Sequence, residues 1–325
     1  MFGFQSNGKV VYPFDRNIGN RNIEKGRETK MQLSRKQTVL YLAFLVLMWG
    51  VNWPLSKYAL AFAPPMLFAG IRTLIGGLLL IAVALPRRKE LRLRETWQIY
   101  LLSALLSIVL YYGFQTVGLQ YMPAGLFSAI VFLQPVLLGL FAWMWLGERM
   151  YARKIAGLLA GFAGVAAMSV GGLEGGVSAV GIALALASAL SWALGTVYTK
   201  RVTAKVDLLW MTAMQMTIGG IVMLACGLSV ESWAAIRWTG PFVLDTLFIS
   251  VFVIALGWLA YFRLIGSGEA SKVGAFTFLI PVVSILCSVL FLHEKITLNL
   301  VAGLVLIMAS ILLVNLKPKR LSGSA

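Results

Sequence analysis

Trp49, Trp53 and Lys57 recur every fourth residue, with Asn52 and Ser56 on the adjoining stripe. A helix through them therefore presents two indoles, an amide, a hydroxyl and an ammonium on one side. Such a set can hold an organic solute, because aromatic faces pack its apolar part while the polar groups fix its orientation. Pro54 interrupts the same stretch. Its missing amide hydrogen frees the carbonyl of Gly50 and bends the helix, and in lipid a freed carbonyl is tolerated only against protein or water. The competing reading makes Trp49 and Trp53 packing residues and sends Lys57 out to the surface. Arg72 lies in the next apolar run, which opens at Pro65, roughly 10 Å deep if that run is a membrane-crossing helix. A guanidinium at such depth costs about 2.5–3.5 kcal/mol on insertion scales and must meet a partner or a ligand. No acidic residue stands in mid-run near it. Arg72 is expected to anchor a carboxylate or another anionic group, or else to donate to backbone carbonyls at kinked helices.

The same vocabulary returns in the second half of the chain. Phe132-Leu133-Gln134-Pro135, Glu148 and Ala156-Gly157-Leu158 match Phe278-Leu279-Ile280-Pro281, Glu294 and Ala302-Gly303-Leu304, each pair 146 residues apart. Arg72 to Gly77 aligns with Gln215 to Gly220 at an offset of 143, and Asn52-Trp53 with Ser191-Trp192 at 139. Trp192 is therefore expected to face Trp53 across a shared cavity, with uncharged Gln215 as the counterpart of Arg72. Pro54, Pro135 and Pro281 are candidate hinges. Glu148 and Glu294, each beside a basic neighbour, read first as interfacial charges at helix ends, with a gate contact or a protonatable group as the alternative. Asp245 and Arg263 read as interfacial anchors. Gly157, Gly161 and Gly164 form a small-residue stripe that suits helix packing, within one chain or between two.

The elements that must carry these residues are membrane helices. The chain has 325 residues, 59% hydrophobic and only 12% charged, too apolar for a domain with a water-facing surface. Its apolar runs are about 20 residues long, enough to span the hydrocarbon core, and are apolar all round as barrel strands are not. Ten spans are expected, at roughly 38–60, 65–85, 97–117, 123–146, 155–170, 179–199, 208–228, 242–264, 272–292 and 298–316. The domains are then a polar cytoplasmic tail at 1–37, expected to be disordered, five-helix repeats at 38–171 and 177–316, and a cytoplasmic tail at 317–325. Met31 offers an alternative start, which leaves open whether residues 1–30 are translated.

The net charge of +16 is distributed by loop rather than gathered into a nucleic-acid surface. Arg87 to Arg94, Arg149 to Lys154, Lys200 to Lys205, Lys272 and Lys317 to Arg320 fall in alternate connections, and the others hold only Arg237 and Lys295. This bias puts both termini in the cytoplasm and the two repeats in opposite orientations. Inverted repeats with a site between them build a carrier. His293 is the single histidine, Cys226 and Cys287 lie inside apolar runs, and no Walker-type loop occurs. Metal sites, disulfides, cofactors and ATP hydrolysis are not expected.

These residues resemble the EamA-type permeases of the drug/metabolite transporter superfamily. The resemblance rests on Trp49-Gly50 with Asn52, on Arg72, and on the twice-used F-L-x-P to Glu to Ala-Gly-Leu spacing, and it covers about 38–316. It implies an all-α carrier of ten helices in two inverted five-helix repeats, multi-pass in the inner membrane. The cargo is a small organic metabolite, an amino acid or related carboxylate, moved outward by alternating access. Proton coupling and facilitated exchange both stay open, as does a homodimer. The candidate binding residues are Asn52, Trp53, Lys57, Arg72, Trp192 and Gln215, with no catalytic residue. Multidrug efflux is the alternative, although it would call for a cavity carboxylate; a membrane-embedded enzyme or a sensor subunit is the alternative of another kind.

Overall fold

The computed structural model describes residues 33–121, 127, 130–169, 178–292 and 298–316. In chain order its helices are α1 (Arg35–Ala59), α2 (Pro65–Ala84), α3 (Leu93–Gly118), α4 (Gln134–Leu146), α5 (Ala152–Ser169), α6 (Ala179–Val202), α7 (Leu208–Val230), α8 (Gly240–Ser267), α9 (Ala270–Phe276), α10 (Leu279–Leu292) and α11 (Leu298–Asn315). The described residues contain no strand. Helices α1, α2, α3, α6, α7 and α8 are six that are long and apolar enough to cross a membrane. In the regions of the other four expected spans the described residues form shorter helices: α4, α5, the pair α9 and α10, and α11.

Helix α1 starts three residues before the expected 38, because Ser34 and Gln37 cap it reciprocally. Ser34 Oγ accepts from the Gln37 amide at 3.2 Å, and Gln37 Oε1 accepts from the Ser34 amide at 3.0 Å. Residues 35–37 are thus helix and not tail, while residues 1–32, the carboxyl tail at 317–325, the glycine-rich turn at 171–176, His293 and Glu294 lie outside the described residues.

Pro54 is accommodated inside an unbroken α1. Pro135 and Pro281, by contrast, lie near helix starts. Turns at Phe132-Leu133 and Thr277-Phe278 interrupt the chain, and α4 and α10 begin immediately after them. A proline in the first turn of a helix has no intrahelical bond to lose, so each proline here starts a helix instead of bending one. The two breaks fall within one residue of matching places in the repeated sequence.

The polarity of a soluble protein is turned inside out. Leu40, Leu47, Trp143, Leu159, Val305 and Leu312 face outward, while Asn52, Ser56, Arg72, Gln134, Lys154 and Gln215 are buried. Lipid solvates apolar surface at no penalty, so polar groups collect where other protein groups can bond them.

Two helix pairs bring equivalent residues against each other. A Cβ on Gly77 of α2 would stand 2.5 Å from the Thr217 amide of α7, and one on Gly220 of α7 would stand 2.6 Å from the Leu74 amide of α2. Residues 74 and 77 correspond to 217 and 220 in the sequence repeat, so this is one contact made twice. Helices α5 and α11 do the same: a Cβ on Gly164 would stand 2.8 Å from the Gly303 carbonyl, and one on Gly157 would stand 3.1 Å from the Ser310 carbonyl. The small-residue stripe of α5 is thereby occupied within the chain.

Both α3 and α8 contain a π-helical segment, Leu105–Leu110 and Ile249–Gly257. Such a segment widens the helix and frees carbonyls toward its neighbours. Ser191 Oγ of α6 donates to the Leu106 carbonyl at 2.9 Å, and Trp49 Nε1 of α1 donates to the Val253 carbonyl at 3.2 Å.

Candidate functional site

Trp49, Asn52 and Trp53 of α1, Tyr111 and Tyr112 of α3, Trp192 of α6 and Trp258 of α8 enclose a cavity at the centre of the molecule, with Phe132, Val253 and Ile280 completing its wall. Its volume is about 10 Å³, close to the room one water needs. The aromatic groups interlock: ring centroids lie 5.5 Å apart for Trp49 and Trp192, 5.2 Å for Trp49 and Trp258, and 5.2 Å for Tyr111 and Trp192. Trp258 Nε1 donates to the Tyr112 hydroxyl at 2.7 Å. The Trp192 indole nitrogen is buried and has no hydrogen-bond partner.

Arg72 adjoins this box and is fully buried. Its Nη1 donates to Ser56 Oγ at 2.7 Å, and Ser56 in turn donates to Asn52 Oδ1 at 3.1 Å, so α1 presents the guanidinium with an ordered polar chain. The Arg72 Cζ lies 4.8 Å from the ring centroids of both Phe68 and Tyr112, two cation–π contacts. Its Nε and Nη2 have no hydrogen-bond partner. Of the two readings of Arg72 in the sequence, an anchor for an anionic group and a donor to backbone carbonyls, the hydrogen bond seen fits neither directly: one nitrogen donates to a hydroxyl, and two nitrogens are without a partner.

Of the six candidate binding residues, Asn52, Trp53 and Trp192 line the cavity and Arg72 touches its Tyr112 wall. Gln215 is buried beside α3, where its Oε1 accepts from Ser103 Oγ, and it is absent from the cavity wall. Lys57 lies apart. Its exposed side chain donates to the Leu119 carbonyl at 3.2 Å, tying the end of α1 to the end of α3. Tyr111, Tyr112 and Trp258 complete the site, together with Trp49 and Ser56 of the face that α1 was expected to present. The sequence does not single out the first three as binding residues, since nothing in a row of apolar and aromatic residues marks which face looks inward.

Asp245 departs most from its sequence reading as an interfacial anchor. It sits on α8 within electrostatic reach of Arg72 but without direct ion-pair contact, and both carboxylate oxygens are buried with no hydrogen-bond partner. It also borders a groove of about 900 Å³ between α1 and α8, whose other walls include Val51, Leu55, Tyr58, Leu244 and Phe252.

Polar contacts join the two halves of the chain at both ends. At the basic end Glu148, after α4, accepts from the Ala270 amide of α9 at 2.6 Å and from Ser271 Oγ, and Lys154 of α5 joins Glu148 at 3.3 Å to Glu269 at 3.2 Å. Lys154 has a side chain of 0% exposure. Burial works to raise the Glu269 carboxyl, but hydrogen bonds from Lys272 and Lys154 and their charges outweigh it and hold the group below the usual carboxylate range. At the opposite end Glu231, after α7, accepts from the amides of Met66 at 3.0 Å and Leu67 at 2.8 Å, and so caps α2. Nearby the Arg237 amide donates to the Phe62 carbonyl at 2.8 Å. Glu148 is therefore an interhelical clasp, beyond the role of a charge at a helix end.

Comparison with known proteins places this geometry. The EamA-like transporter family model matches residues 36–170 and again 179–316. The uncharacterized transporter YvbV of Bacillus subtilis strain 168 is 63% identical over 294 residues, covering 90% of this chain and 96% of that protein. A probable amino-acid metabolite efflux pump of Escherichia coli K12 is 26% identical, covering 86% of this chain and 94% of that protein. A solved crystal structure superposes with a TM-score of 0.75 at 22% identity, covering 87% of this chain and 97% of the other, and supports the fold. With multiple apolar helices, an inside-out polarity and two family matches spanning nearly all the described residues, the chain belongs to the EamA-like transporter family of the drug/metabolite transporter superfamily and is a multi-pass membrane transporter.

Proposed function

We propose that the protein is a secondary transporter that exports a small carboxylate-bearing organic metabolite across the cell membrane by alternating access. Ten crossings form two inverted five-helix halves, residues 38–171 and 177–316, with both termini in the cytoplasm. The observation that carries this reading is Arg72, fully buried, with two unused donors beside an aromatic cavity that has room for about one water. A buried cation with free hydrogen-bonding capacity can take an anionic ligand, and a cavity this small cannot admit an organic solute until it opens. Hydrogen bonds clasp the two halves at both ends, so the conformation is occluded and each mouth opens when its own clasp parts.

The inverted arrangement is supported by the equivalent glycine contacts of α2 with α7 and α5 with α11 and by the paired π segments of α3 and α8. The breaks before Pro135 and Pro281, with Pro54 inside α1, are the hinges. Outward transport of an amino-acid-like compound agrees with relatives named as probable amino-acid metabolite efflux pumps, at 26% and 28% identity. The orientation agrees with the gathering of basic residues at the end that holds Arg87, Arg149, Lys200 and Lys272.

The test compares metabolites inside and outside cells that lack or overproduce the protein, followed by transport of the compounds found in vesicles carrying the wild type or Arg72→Gln. Loss of transport in the variant is expected. Transport at the wild-type rate would remove Arg72 from the site.

A further inference from the structure

We infer that Tyr112 is a positioning residue: its ring orders the Arg72 guanidinium while its hydroxyl is held by Trp258 of the other half of the chain, so that the anion site is ordered only while α3 and α8 stay together. The inference deepens the transport reading above and rests on it. Ser56 of α1, Phe68 of α2 and Tyr112 of α3 touch the guanidinium, and all three lie in the first segment matched by the family model, 36–170. Tyr112 also carries a hydrogen bond into the second segment, because its hydroxyl accepts from Trp258 Nε1 of α8 at 2.7 Å. Both side chains are buried and line the central cavity. One tyrosine thus meets the cation with its face and the opposite half with its tip.

A hydroxyl fixed by a donor holds its ring in one orientation, and a ring so held keeps the cation in place over it. Parting this buried bond would leave an indole N–H and a hydroxyl without partners. Tyr112 and Trp258 stand 146 residues apart, the offset at which Phe132 matches Phe278, so the bond joins equivalent positions of the repeat. Each partner also follows a π-helical segment: Leu105–Leu110 ends two residues before Tyr112, and Ile249–Gly257 ends one residue before Trp258. A change of pitch in either segment turns the residue that follows and parts the bond. Once α3 and α8 separate, the ring is released and the guanidinium loses one of the two faces that hold it. The site is therefore ordered for an anion in the closed form and loosened as the molecule opens, which couples release of cargo to the movement of the halves.

Two probes share a ring and a chain and differ in charge: 3-phenylpropionate and 3-phenylpropan-1-ol. Binding of each radiolabelled compound is measured by scintillation proximity on the purified full chain in nanodiscs. The wild type is expected to prefer the acid, and Arg72→Gln to lose that preference. Tyr112→Phe keeps the ring and removes only the hydroxyl. It should lower the advantage of the acid over the alcohol about 10-fold, the factor that corresponds to one hydrogen bond of ordinary strength. Trp258→Phe removes the donor and should do the same; the two together should be no worse than one, and Tyr112→Phe should add nothing to Arg72→Gln. A bond with only a structural role would weaken both probes alike. If Tyr112→Phe does not elute as a folded, monodisperse protein, Trp258→Phe carries the test, and failure of both to fold makes the bond structural and overturns the inference. It is likewise overturned, with the anion anchor left standing, if the wild type shows an Arg72-dependent preference for the acid but the variants keep that preference, weaken both probes equally or combine additively. A wild type that binds neither probe, or whose preference does not depend on Arg72, overturns the anchor and the inference together.

Discussion

The ammonium of Lys154 lies 3.2 Å from Glu269, and the two residues belong to different segments matched by the family model, 36–170 and 179–316. The same ammonium reaches Glu148, which holds the start of α9 through the Ala270 amide. Lys154→Met keeps the length of the side chain and removes the charge, leaving Glu148 with 9% side-chain exposure and no cation in contact. Removing one partner of a buried pair costs about 3 kcal/mol, the low end being apt because Glu269 is partly solvated. The expected outcome is a lower melting temperature in detergent, with part of the loss recovered in a Glu148→Gln, Lys154→Met double variant. A maleimide probe at Ser271→Cys should then react faster in the Lys154→Met background, because the clasp at this end has parted.

The same clasp fixes the sign of a pH effect. Glu269 lies in the connection after α8, and its folded carboxyl is held below the ordinary range by Lys272 and Lys154 against the opposing effect of burial. A depressed folded value means that the stabilisation is present above the unfolded carboxylate value of about 4.3 and is lost as the pH falls through the folded value. Melting temperature followed from pH 7 downward should therefore decline in the acid range, and Glu269→Gln should flatten that part of the curve. An unchanged acid limb in the variant would free Glu269 of any part in the clasp.

Six long apolar helices, the buried polar residues and three of the cavity walls were legible in the sequence because lipid enforces them. A run that must bury every backbone group has to be a long apolar helix, and Asn52 or Arg72 inside such a run must face protein. What the sequence did not disclose depends on which helix meets which. Asp245 reads as an anchor near a helix end until α8 is packed against its neighbours, and only then are its carboxylate oxygens buried without a hydrogen-bond partner. The π segments of α3 and α8 leave no compositional mark, since Leu105–Leu110 and Ile249–Gly257 are as apolar as their flanks. Pro135 and Pro281 read as kinks inside long helices, because their distance from the turns at Phe132-Leu133 and Thr277-Phe278 is set by packing. Gln215 inherited a site role from its alignment with Arg72, but the symmetry-related position on α7 meets Ser103 of α3 and not the cavity.

The paired glycines make a prediction with a built-in control. Replacing a helical glycine by alanine is worth up to about 1 kcal/mol in a free helix. A Cβ added to Gly113 on α3 would have nothing within 4 Å, so Gly113→Ala should keep or raise stability. At Gly77 the new methyl would meet the Thr217 backbone at 2.5 Å, so α2 and α7 would have to separate. Gly77→Ala and Gly220→Ala should each lower the melting temperature and the yield of folded protein, and the two together should be less than additive, because a single separation of the helices serves both.

Trp49 joins the cavity wall to the π segment of α8, and this can be tested apart from substrate binding. Its Nε1 donates to the Val253 carbonyl at 3.2 Å, while a Cβ on Gly257 would stand 2.5 Å from that same nitrogen, so the indole reaches the carbonyl only because residue 257 is glycine. Trp49→Phe keeps an aromatic ring in the box but leaves the carbonyl unsatisfied, which costs about 1–3 kcal/mol. Gly257→Ala attacks the same bond from the other side by displacing the indole. Both variants should lower stability and slow transport, whereas Trp53→Phe, which also keeps a ring in the wall, should retain the melting temperature. If the π segment moves during the transport cycle, Trp49→Phe should change the rate of transport more than the affinity for substrate. Equal effects on the two would reduce Trp49 to a wall of the cavity.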